Sequence, residues 1–333
     1  MRGRRIPVLV LAGFLGAGKT TLLNHLLAHS ADVRIGVIVN DFGSIGIDAM
    51  LVGGQADGVV PLGNGCLCCA VGEDGVGPLL EKLAGPSSEV DVIVIEASGI
   101  AEPGALVQQV LTAGTARTTF GGLVQIVDAA EFETTRGKHP QVEGHVGLAD
   151  LIVLNKADRV DPAKLWRVRR ACREANGRAP IVPASHGVVD PGLLFDIRVV
   201  PGRQLMLAGA VDDHATHLHA AYEAVEFLTE RPLDPQRFVD LLDRRPAGTY
   251  RVKGFVDFGV AGHRQRFGLH AVGRYLRFDR TSWPRGEPRR TGLEFIGSGV
   301  DADALRTALR ACERDEPAEP EDMLAVLRYT FDG

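Results

Sequence analysis

The stretch 6–20, IPVLVLAGFLGAGKT, joins a continuous apolar run to a glycine-rich turn. An apolar run such as 6–12 is typical of a strand that is buried on both faces of a parallel sheet. The turn, Gly13–Thr20, fits the pattern G-x-x-x-x-G-K-[ST] and leads into an amphipathic segment, Thr20–His29, that predicts a helix. A strand, this turn and a helix in succession predict a phosphate-binding loop.

Each part of this loop has a physical role in phosphate binding. Glycines let backbone N–H groups point at phosphate oxygens, and Lys19 would neutralise the β and γ phosphates. The Thr20 hydroxyl is the predicted ligand of Mg²⁺, and Lys19, Thr20 and Glu96 are the predicted catalytic groups. The other loop residues that we expect to bind the nucleotide are Gly13, Gly16, Ala17, Gly18 and Thr21.

Apolar runs recur along the first 195 residues, and helix-like segments separate several of them. The runs lie at 35–39, 92–95, 123–127, 151–154 and 181–182, and the predicted helices at 76–84, 103–112 and 161–175. Alternating strands and helices predict an α/β fold of the P-loop NTPase type, with a mainly parallel sheet and helices on both faces. We assign this domain to residues 1–195.

The pattern changes after residue 195. Residues 196–216 are mixed in composition and predict a linker. Predicted strands at 217–228, 250–258, 265–278 and 291–297, with helices at 234–244 and 301–313, indicate a smaller C-terminal α+β domain over 217–315. The segment Glu313–Asp322 is acidic and contains proline, so we interpret 316–333 as a solvated acidic tail.

A second motif indicates which nucleotide is bound. Asn155-Lys156-Ala157-Asp158 follows the apolar run 151–154 and matches N-K-x-D, the base-reading motif of GTPases. The Asp158 carboxylate can accept hydrogen bonds from guanine, whereas adenine would leave it without a donor. Ser185 and His186, after the next apolar run, are candidate contacts of the base, with an ordinary loop as an equally good interpretation. The first domain is therefore predicted to be a GTPase domain.

Acidic residues follow several of the predicted strands. Glu96 and Gly99 come after 92–95, where a carboxylate can hold Mg²⁺ through water or position the attacking water, and the Gly99 N–H can contact the γ-phosphate. Asp41 follows the run 35–39, and Asp128 follows 123–127 in the same way. A structural role for Glu96 as a strand-end carboxylate is the alternative.

Three of the five cysteines, Cys66, Cys68 and Cys69, stand within four residues. Thiolates at this spacing suit Zn²⁺, and a carboxylate, a histidine or water from elsewhere would complete the site. Asp41 is a tentative further ligand. The alternatives are a small structural zinc site, a redox thiol pair and buried apolar cysteines. His214, His217 and His219 also cluster, but a solvated linker is the favoured interpretation there.

Composition excludes several classes of function. The net charge is −5 and aromatic residues make up 6% of the chain, which argues against nucleic-acid and membrane partners. No apolar run is long enough for a membrane-spanning helix. Few cysteines, three of them clustered, favour a reducing compartment, and we expect a cytoplasmic protein.

Taken together, these motifs resemble the CobW / nitrile hydratase activator family of P-loop GTPases. In the first domain the resemblance rests on GFLGAGKTTLLNHLL (13–27), NDFGSIGID (40–48), PLGNGCLCC (61–69), VIEASGIAEPG (94–104) and LNKAD (154–158). In the second domain it rests on RPLDPQRF (231–238), YRVKGF (250–255) and GLEFIGSG (292–299). The chain departs from the family at Asp41 and Ser44, where members commonly carry glutamate.

The resemblance implies a GTPase metallochaperone. It would hold GTP with Mg²⁺, bind a divalent metal at Cys66, Cys68 and Cys69, and transfer the metal to the apo-form of a client metalloprotein. Thiolate softness favours Zn²⁺, with Co²⁺ as a second possibility. We expect a monomer or a weak homo-oligomer. The alternatives are a regulatory switch that delivers no metal, and a small-molecule kinase with a structural zinc, which the Asn155–Asp158 motif disfavours.

Overall fold

The computed structural model describes residues 5–30, 33–40, 60–62, 76–86, 88–195, 223–273, 275–284, 286, 288–315 and 319–330. It divides into two compact units, which are treated separately below. The first comprises Met1–Gly177 and Ile181–Ala221, and the second comprises Arg178–Pro180 and Tyr222–Gly333.

A seven-stranded parallel sheet forms the first unit, in the order β3-β2-β4-β1-β5-β6-β7. Its strands are β1 (Ile6–Gly13), β2 (Ile35–Asn40), β3 (Val60–Leu62), β4 (Val92–Glu96), β5 (Thr118–Asp128), β6 (Leu151–Asn155) and β7 (Ile181–Pro183). Its helices are α1 (Lys19–His29), α2 (Gly77–Leu83), α3 (Pro103–Thr112), α4 (Phe132–Lys138), α5 (Gln141–Leu148), α6 (Pro162–Ala175) and α7 (Pro191–Leu194).

The apolar runs of the sequence form the interior of this sheet. Every residue of β4 and β6 is buried, as are all but one of β1. Burying a Val, Leu or Ile side chain contributes about 1.5–3 kcal/mol to folding, so strands covered on both faces supply much of the stability of this unit.

The parallel register brings the polar ends of neighbouring strands to one edge of the sheet. Glu96 at the end of β4 lies beside Leu11 of β1, two residues before the glycine-rich turn begins. Asp128 at the end of β5 lies beside Asn155 at the end of β6. The sheet therefore assembles the predicted site residues from distant parts of the chain at its carboxyl edge.

The second unit contains a five-stranded antiparallel sheet in the order β11-β10-β9-β12-β8. Its elements are β8 (Glu223–Thr229), α8 (Pro235–Asp243), β9 (Thr249–Val256), β10 (Arg266–Val272), β11 (Tyr275–Thr281), β12 (Thr291–Gly297), α9 (Ala302–Arg310), a 3₁₀ turn (Pro320–Met323) and α10 (Leu324–Leu327). Aromatic side chains at the centre of its core, Phe238, Phe258, Phe267 and Phe278, are almost fully buried.

The fold class agrees with the prediction, but several elements differ. The predicted strand 265–278 is a hairpin, because Gly273 with φ 51° begins a turn between β10 and β11. Helices α4 and α5 were not predicted, since their sequences, FETTRGK and QVEGHVGL, lack a regular apolar period.

The segment interpreted as an acidic tail also contributes to the core. Met323 and Val326 are fully buried among the apolar residues of the second unit. The acidic residues just before Met323 hide this contribution in the sequence: Glu319 and Asp322 form the capping box of the 3₁₀ turn. The charged part of the segment therefore stabilises a turn that carries apolar side chains inward.

Candidate functional site

The glycine-rich turn begins where β1 ends and is closed by helix α1. Gly18 is the N-cap residue of α1 and has φ 100°, a left-handed conformation that disfavours residues with a Cβ atom. A Cβ atom on Gly18 would also lie 2.3 Å from Nδ2 of Asn155. Glycine is therefore required here both by the backbone and by the close approach of the base-motif strand.

Lys19 is buried and folded back over the turn. Its Nζ donates a hydrogen bond to the carbonyl oxygen of Gly13 at 3.1 Å. The ammonium group therefore lies across the loop at the N-terminus of α1, where backbone N–H groups and the helix dipole also favour an anion.

Thr20 and Glu96 meet beside the loop. The Thr20 hydroxyl donates a hydrogen bond to Oε1 of Glu96 at 2.7 Å, and Glu96 is only 3% exposed. These two residues are 76 positions apart in sequence, and the β1–β4 pairing brings them together. A hydroxyl and a carboxylate oxygen in contact are the hard oxygen donors that Mg²⁺ prefers, so the residues present fit this ion.

Gly99 lies directly against the phosphate loop. A Cβ atom on Gly99 would be 2.6 Å from Cδ2 and 2.9 Å from Cα of Leu15. The absence of a side chain thus lets the segment after β4 approach the loop closely. Gly99 therefore lies beside the phosphate loop, and the contact of its N–H with the γ-phosphate stays a prediction.

Asn155 connects the phosphate loop to the loop after β7. Its Nδ2 donates to the carbonyl oxygen of Ala17 at 2.9 Å, and its Oδ1 accepts from the Gly187 N–H at 2.9 Å. Both hydrogen bonds are buried, so truncating this amide would leave two polar backbone groups without partners, at about 1–3 kcal/mol each. Asn155 therefore fixes the two loops relative to each other.

Asp158 and His186 lie close together at the other end of the motif. Nε2 of His186 is 3.6 Å from Oδ2 of Asp158, and the two side chains are 82% and 36% exposed. His186 has φ 53°, and the loop around it is closed by a hydrogen bond from the Val188 N–H to the carbonyl oxygen of Ser185. The Asp158 carboxylate is thus accessible to a ligand rather than committed to the core.

Asp128 is the residue that sequence reasoning left without a specific role. Its Oδ2 accepts a hydrogen bond from Nζ of Lys156 at 2.7 Å, and its Oδ1 accepts from the Ala130 and Glu131 N–H groups. Lys156 itself has φ 60°. Asp128 therefore both caps the turn after β5 and holds the Lys156 side chain in place. Its position at a strand end was the only sequence signal for this.

A cavity of about 440 Å³ opens beside the outer side of the phosphate loop. It lies between Phe14–Ala17, the end of β5 and the helices α4 and α5, with the Asp128–Lys156 pair at its rim. The Phe14 ring packs against the His139 ring with 4.8 Å between their centroids. The phosphate loop is thus supported from this side by an aromatic contact that joins it to the α4–α5 junction.

The predicted metal residues lie outside the described part of the chain. These residues are Cys66, Cys68, Cys69 and Asp41. The histidines that were interpreted as part of a solvated linker also lie outside it: His214, His217 and His219. Among the described residues, no group of three or more His, Cys, Asp or Glu side chains could hold a metal ion.

The two remaining cysteines are poor candidates for metal ligands. Burial raises the pKa of the Cys172 thiol to about 12 and that of the Cys312 thiol to about 11. Both thiols therefore stay protonated near neutral pH, whereas a metal ligand must be a thiolate.

None of the helices in the described segments has the length and apolar composition that crossing a bilayer requires.

Comparisons with known proteins cover both units. Residues 7–183 match the family described as "CobW/HypB/UreG, nucleotide-binding domain", and residues 222–313 match "Cobalamin synthesis protein cobW C-terminal domain". The chain is 37% identical over 304 residues to the zinc chaperone YjiA of Escherichia coli K12, covering 90% of this chain and 88% of that protein.

Two further relatives extend the comparison. The chain is 32% identical over 349 residues to the zinc chaperone CobW of a Sinorhizobium species, covering 92% of this chain and 97% of that protein. It is 33% identical over 195 residues to zinc-regulated GTPase metalloprotein activator 1 of Schizosaccharomyces pombe, covering 56% of this chain and 47% of that protein.

Proposed function

Because this chain belongs to the CobW/HypB/UreG family of nucleotide-binding proteins, we propose that it is a GTP-hydrolysing metallochaperone. In this proposal the nucleotide state controls the binding of a divalent metal, zinc, and its transfer to the apo-form of a client metalloprotein. Two relatives that this chain matches over most of their length are named zinc chaperones, which supports zinc as the metal. A third relative is named a GTPase metalloprotein activator, which supports GTP hydrolysis as the reaction.

The hydrogen bond between Thr20 and Glu96 is the observation that carries the hydrolytic part of the proposal. Lys19 neutralises the β and γ phosphates, and the backbone of Gly13, Gly16, Ala17, Gly18 and Thr21 holds them. Glu96 orients the attacking water, and the Gly99 N–H contacts the γ-phosphate. These groups stabilise charge that develops as the bond to the γ-phosphoryl group breaks.

Thr20 and Glu96 are the groups that would hold Mg²⁺, Thr20 directly and Glu96 through water. The ion, when bound, supplies neutralisation of charge on the β and γ oxygens. The chain's own contribution is to keep Thr20 and Glu96 in contact at the end of two paired strands.

Guanine is selected by Asp158, whose carboxylate accepts from the ring N–H and the exocyclic amine. Asn155 keeps the loop that follows β7 against the phosphate loop, and Lys156, held by Asp128, covers the base with its stem. Ser185 and His186 complete the contacts around the base. An adenine nucleotide leaves Asp158 without donors, which is the physical basis of the preference.

The metal cargo binds at Cys66, Cys68 and Cys69, with Asp41 as a further ligand. Thiolate ligands favour zinc over cobalt. Strand order supports coupling: β3 ends just before the cysteine segment, and only β2 and β4 separate it from β1, which ends at the phosphate loop. Three strand spacings amount to about 14 Å along the sheet edge. Nucleotide-dependent loop movements at this edge change the metal site.

Two further parts of the proposal concern the setting. Thiolates that exchange metal need a reducing compartment, so we propose that the protein acts in the cytoplasm. We also propose that it is a monomer or a weak homo-oligomer. Residues 196–216 are proposed as the linker between the two domains.

The decisive experiment is zinc affinity by chelator competition without nucleotide, with GDP and with a non-hydrolysable GTP analogue. We expect at least a tenfold difference between nucleotide states, which is about 1.4 kcal/mol of coupling. The test variant replaces Cys66, Cys68 and Cys69 by serine, and the matched control replaces the buried Cys172 and Cys312. Zinc affinity should vanish only in the test variant.

Transfer is tested separately by adding a zinc-dependent apo-enzyme and measuring the recovery of its activity. If zinc binds tightly but its affinity ignores the nucleotide, the metallochaperone proposal fails. Nucleotide-dependent affinity without transfer to any client would instead favour the regulatory switch.

A further inference from the structure

One segment of the second unit is unusually rich in arginine for this chain. The segment 264–290 contains eight arginines and two acidic residues, whereas the whole chain has a net charge of −5. Strand register brings the two ends of this segment together. Arg266 begins β10 opposite Thr281 at the end of β11, and Arg290 precedes β12, whose Gly292 lies opposite Phe255.

Four of the described arginines in this segment lack acidic partners. In the described part of the chain, Arg264, Arg266, Arg289 and Arg290 form no ion pair, and Arg264 and Arg289 are exposed. Two carboxylates on or next to the adjoining strands have other partners. Asp279 pairs with Arg277 at 3.0 Å, and the buried Asp257 accepts a hydrogen bond from the Gly259 N–H. The positive charge is therefore not compensated locally, and an anionic ligand would gain from it.

Two partly exposed aromatic rings lie among these arginines. The Phe255 and Trp283 rings meet edge to face with 6.1 Å between centroids, and the Arg266 guanidinium lies 5.4 Å from the Phe255 centroid. Trp283 is fixed by a hydrogen bond from its Nε1 to the carbonyl oxygen of Arg264 at 3.1 Å. Rigid aromatic rings beside arginines are the composition that is typical of binding hot spots.

We propose that this surface, formed by Arg264, Arg266, Arg289, Arg290, Phe255 and Trp283, docks an acidic segment of a partner protein. The guanidinium groups bind the carboxylates of the segment as planar forks, and an apolar side chain of the segment packs on the two rings. The proposal concerns binding by the second unit and does not require nucleotide hydrolysis.

Charge distribution favours a protein segment over a polyanion. A nucleic acid or an anionic membrane would need a positive field much longer than one end of a five-stranded sheet. On the same face of the sheet, Glu294 pairs with Lys253 at 2.7 Å and lies opposite Glu226, so the positive charge does not continue across this face as a phosphate chain would need, and these two glutamates mark where it stops. A short acidic segment avoids them.

The test uses the full chain with Trp166→Phe, which leaves Trp283 as the sole tryptophan and hence as a local reporter. The probe is a labelled peptide of about ten residues that is rich in Glu and contains one Phe. A peptide with Gln in place of Glu, and an oligothymidylate of similar charge, are the comparison ligands. Binding is followed by anisotropy of the label and by Trp283 emission.

We expect the acidic peptide to bind with a change in Trp283 emission, and the Gln peptide and oligothymidylate to bind at least about tenfold more weakly. Arg289→Glu with Arg290→Glu should weaken peptide binding at least about fivefold, and Arg289→Gln with Arg290→Gln should weaken it less. The matched control, Arg169→Glu with Arg170→Glu on α6, makes the same charge change at exposed arginines of the first unit and should have no effect.

Three results would overturn the proposal: tighter binding of oligothymidylate, equal losses in both glutamate pairs, or no change in Trp283 emission when the peptide binds. GTP turnover is measured on the same variants and should be unchanged. A variant that loses peptide binding but keeps GTP turnover therefore tests the docking surface separately from the proposed nucleotide function.

Discussion

Lys19 and Asp158 are both proposed to bind nucleotide, but the folded chain holds them in different ways. Lys19 is 8% exposed and makes a hydrogen bond to Gly13 within the loop. Asp158 is 36% exposed at its side chain, and it lies 3.6 Å from the more exposed His186. The first residue is therefore part of the loop's own packing, whereas the second is available to a ligand.

Lys19→Ala should reduce GTP turnover by at least about 100-fold, because the loop loses the charge that neutralises the transferred phosphoryl group. Phosphate release measures the turnover, and thermal unfolding should show a folded protein. The matched control is Lys82→Ala on the exposed side of α2, which should leave turnover unchanged. Turnover that survived in Lys19→Ala would contradict the phosphate-loop assignment.

Asp158→Asn should reduce the preference for GTP over xanthosine triphosphate by about 10-fold or more, since an amide offers a donor to the changed base edge. Competition for binding between the two nucleotides measures this preference. Asp303→Asn provides the control, because its side chain is 99% exposed in the second unit. An unchanged preference would argue against base reading by Asp158.

At the scale of elements, uninterrupted apolar runs and amphipathic helices were predictable, even short ones such as β7 and α2, whereas elements without a clear apolar pattern were not. The predicted strands 6–12, 92–95 and 151–154 differ from β1, β4 and β6 by one residue at one end. By contrast, β5 begins at Thr118, five residues before the predicted run 123–127. The sequence did not reveal this first part of the strand because its threonines and two glycines weaken the apolar signal. The first part of β5 is buried by tertiary contacts, which local composition does not indicate.

The last residue of the 3₁₀ turn and the first residue of α10 are neighbours in sequence that differ in burial, so they form a matched pair for mutation. Met323 is fully buried, whereas Leu324 is 67% exposed. Met323→Ala should lower the free energy of unfolding by about 2–5 kcal/mol, because it leaves a cavity in the core of the second unit. Leu324→Ala should change it by less than about 0.5 kcal/mol. Chemical denaturation of both variants measures the difference, and equal effects would show that 319–330 does not pack on this core.

At the scale of the whole molecule, the meeting of the two nucleotide motifs could be predicted because each motif is local. Gly13–Thr20 and Asn155–Asp158 each carry their chemistry within a few residues, and strand alternation implies that they meet at one edge. The support of the site could not be predicted in the same way. The contacts of Asp128 with Lys156 and of Phe14 with His139 join residues that only the folded sheet brings together.

The five cysteines should divide into two classes of reactivity across the molecule. At pH 8 a thiol with a pKa of about 12 is ionised to about 1 part in 10⁴, and one with a pKa of about 11 to about 1 part in 10³. If Cys66, Cys68 and Cys69 are the metal-binding thiolates of the proposed function, they should form a fast-reacting class in native protein treated with a thiol-specific reagent, with Cys172 and Cys312 reacting slowly.

Raising the pH toward the elevated pKa values of Cys172 and Cys312 should increase the rate at which the reagent labels them. The labelling rate of Cys312 should rise at lower pH than that of Cys172, because its pKa is lower. Zinc should protect the fast class and leave the slow class unchanged. Mass spectrometry of labelled peptides assigns the sites, and rapid labelling of Cys172 in the folded protein would contradict its burial.

Strand β3 has a consequence for local opening of the sheet. It has three residues and pairs with β2 alone, at the edge of the described sheet. Detaching it disrupts the hydrogen bonds of one short ladder, whereas detaching β4 would break pairing with neighbours on both sides. Local unfolding free energies follow such contact densities. Strand β3 should therefore detach at a lower free-energy cost than the central strands, and the strands beneath the phosphate loop can stay folded when it does.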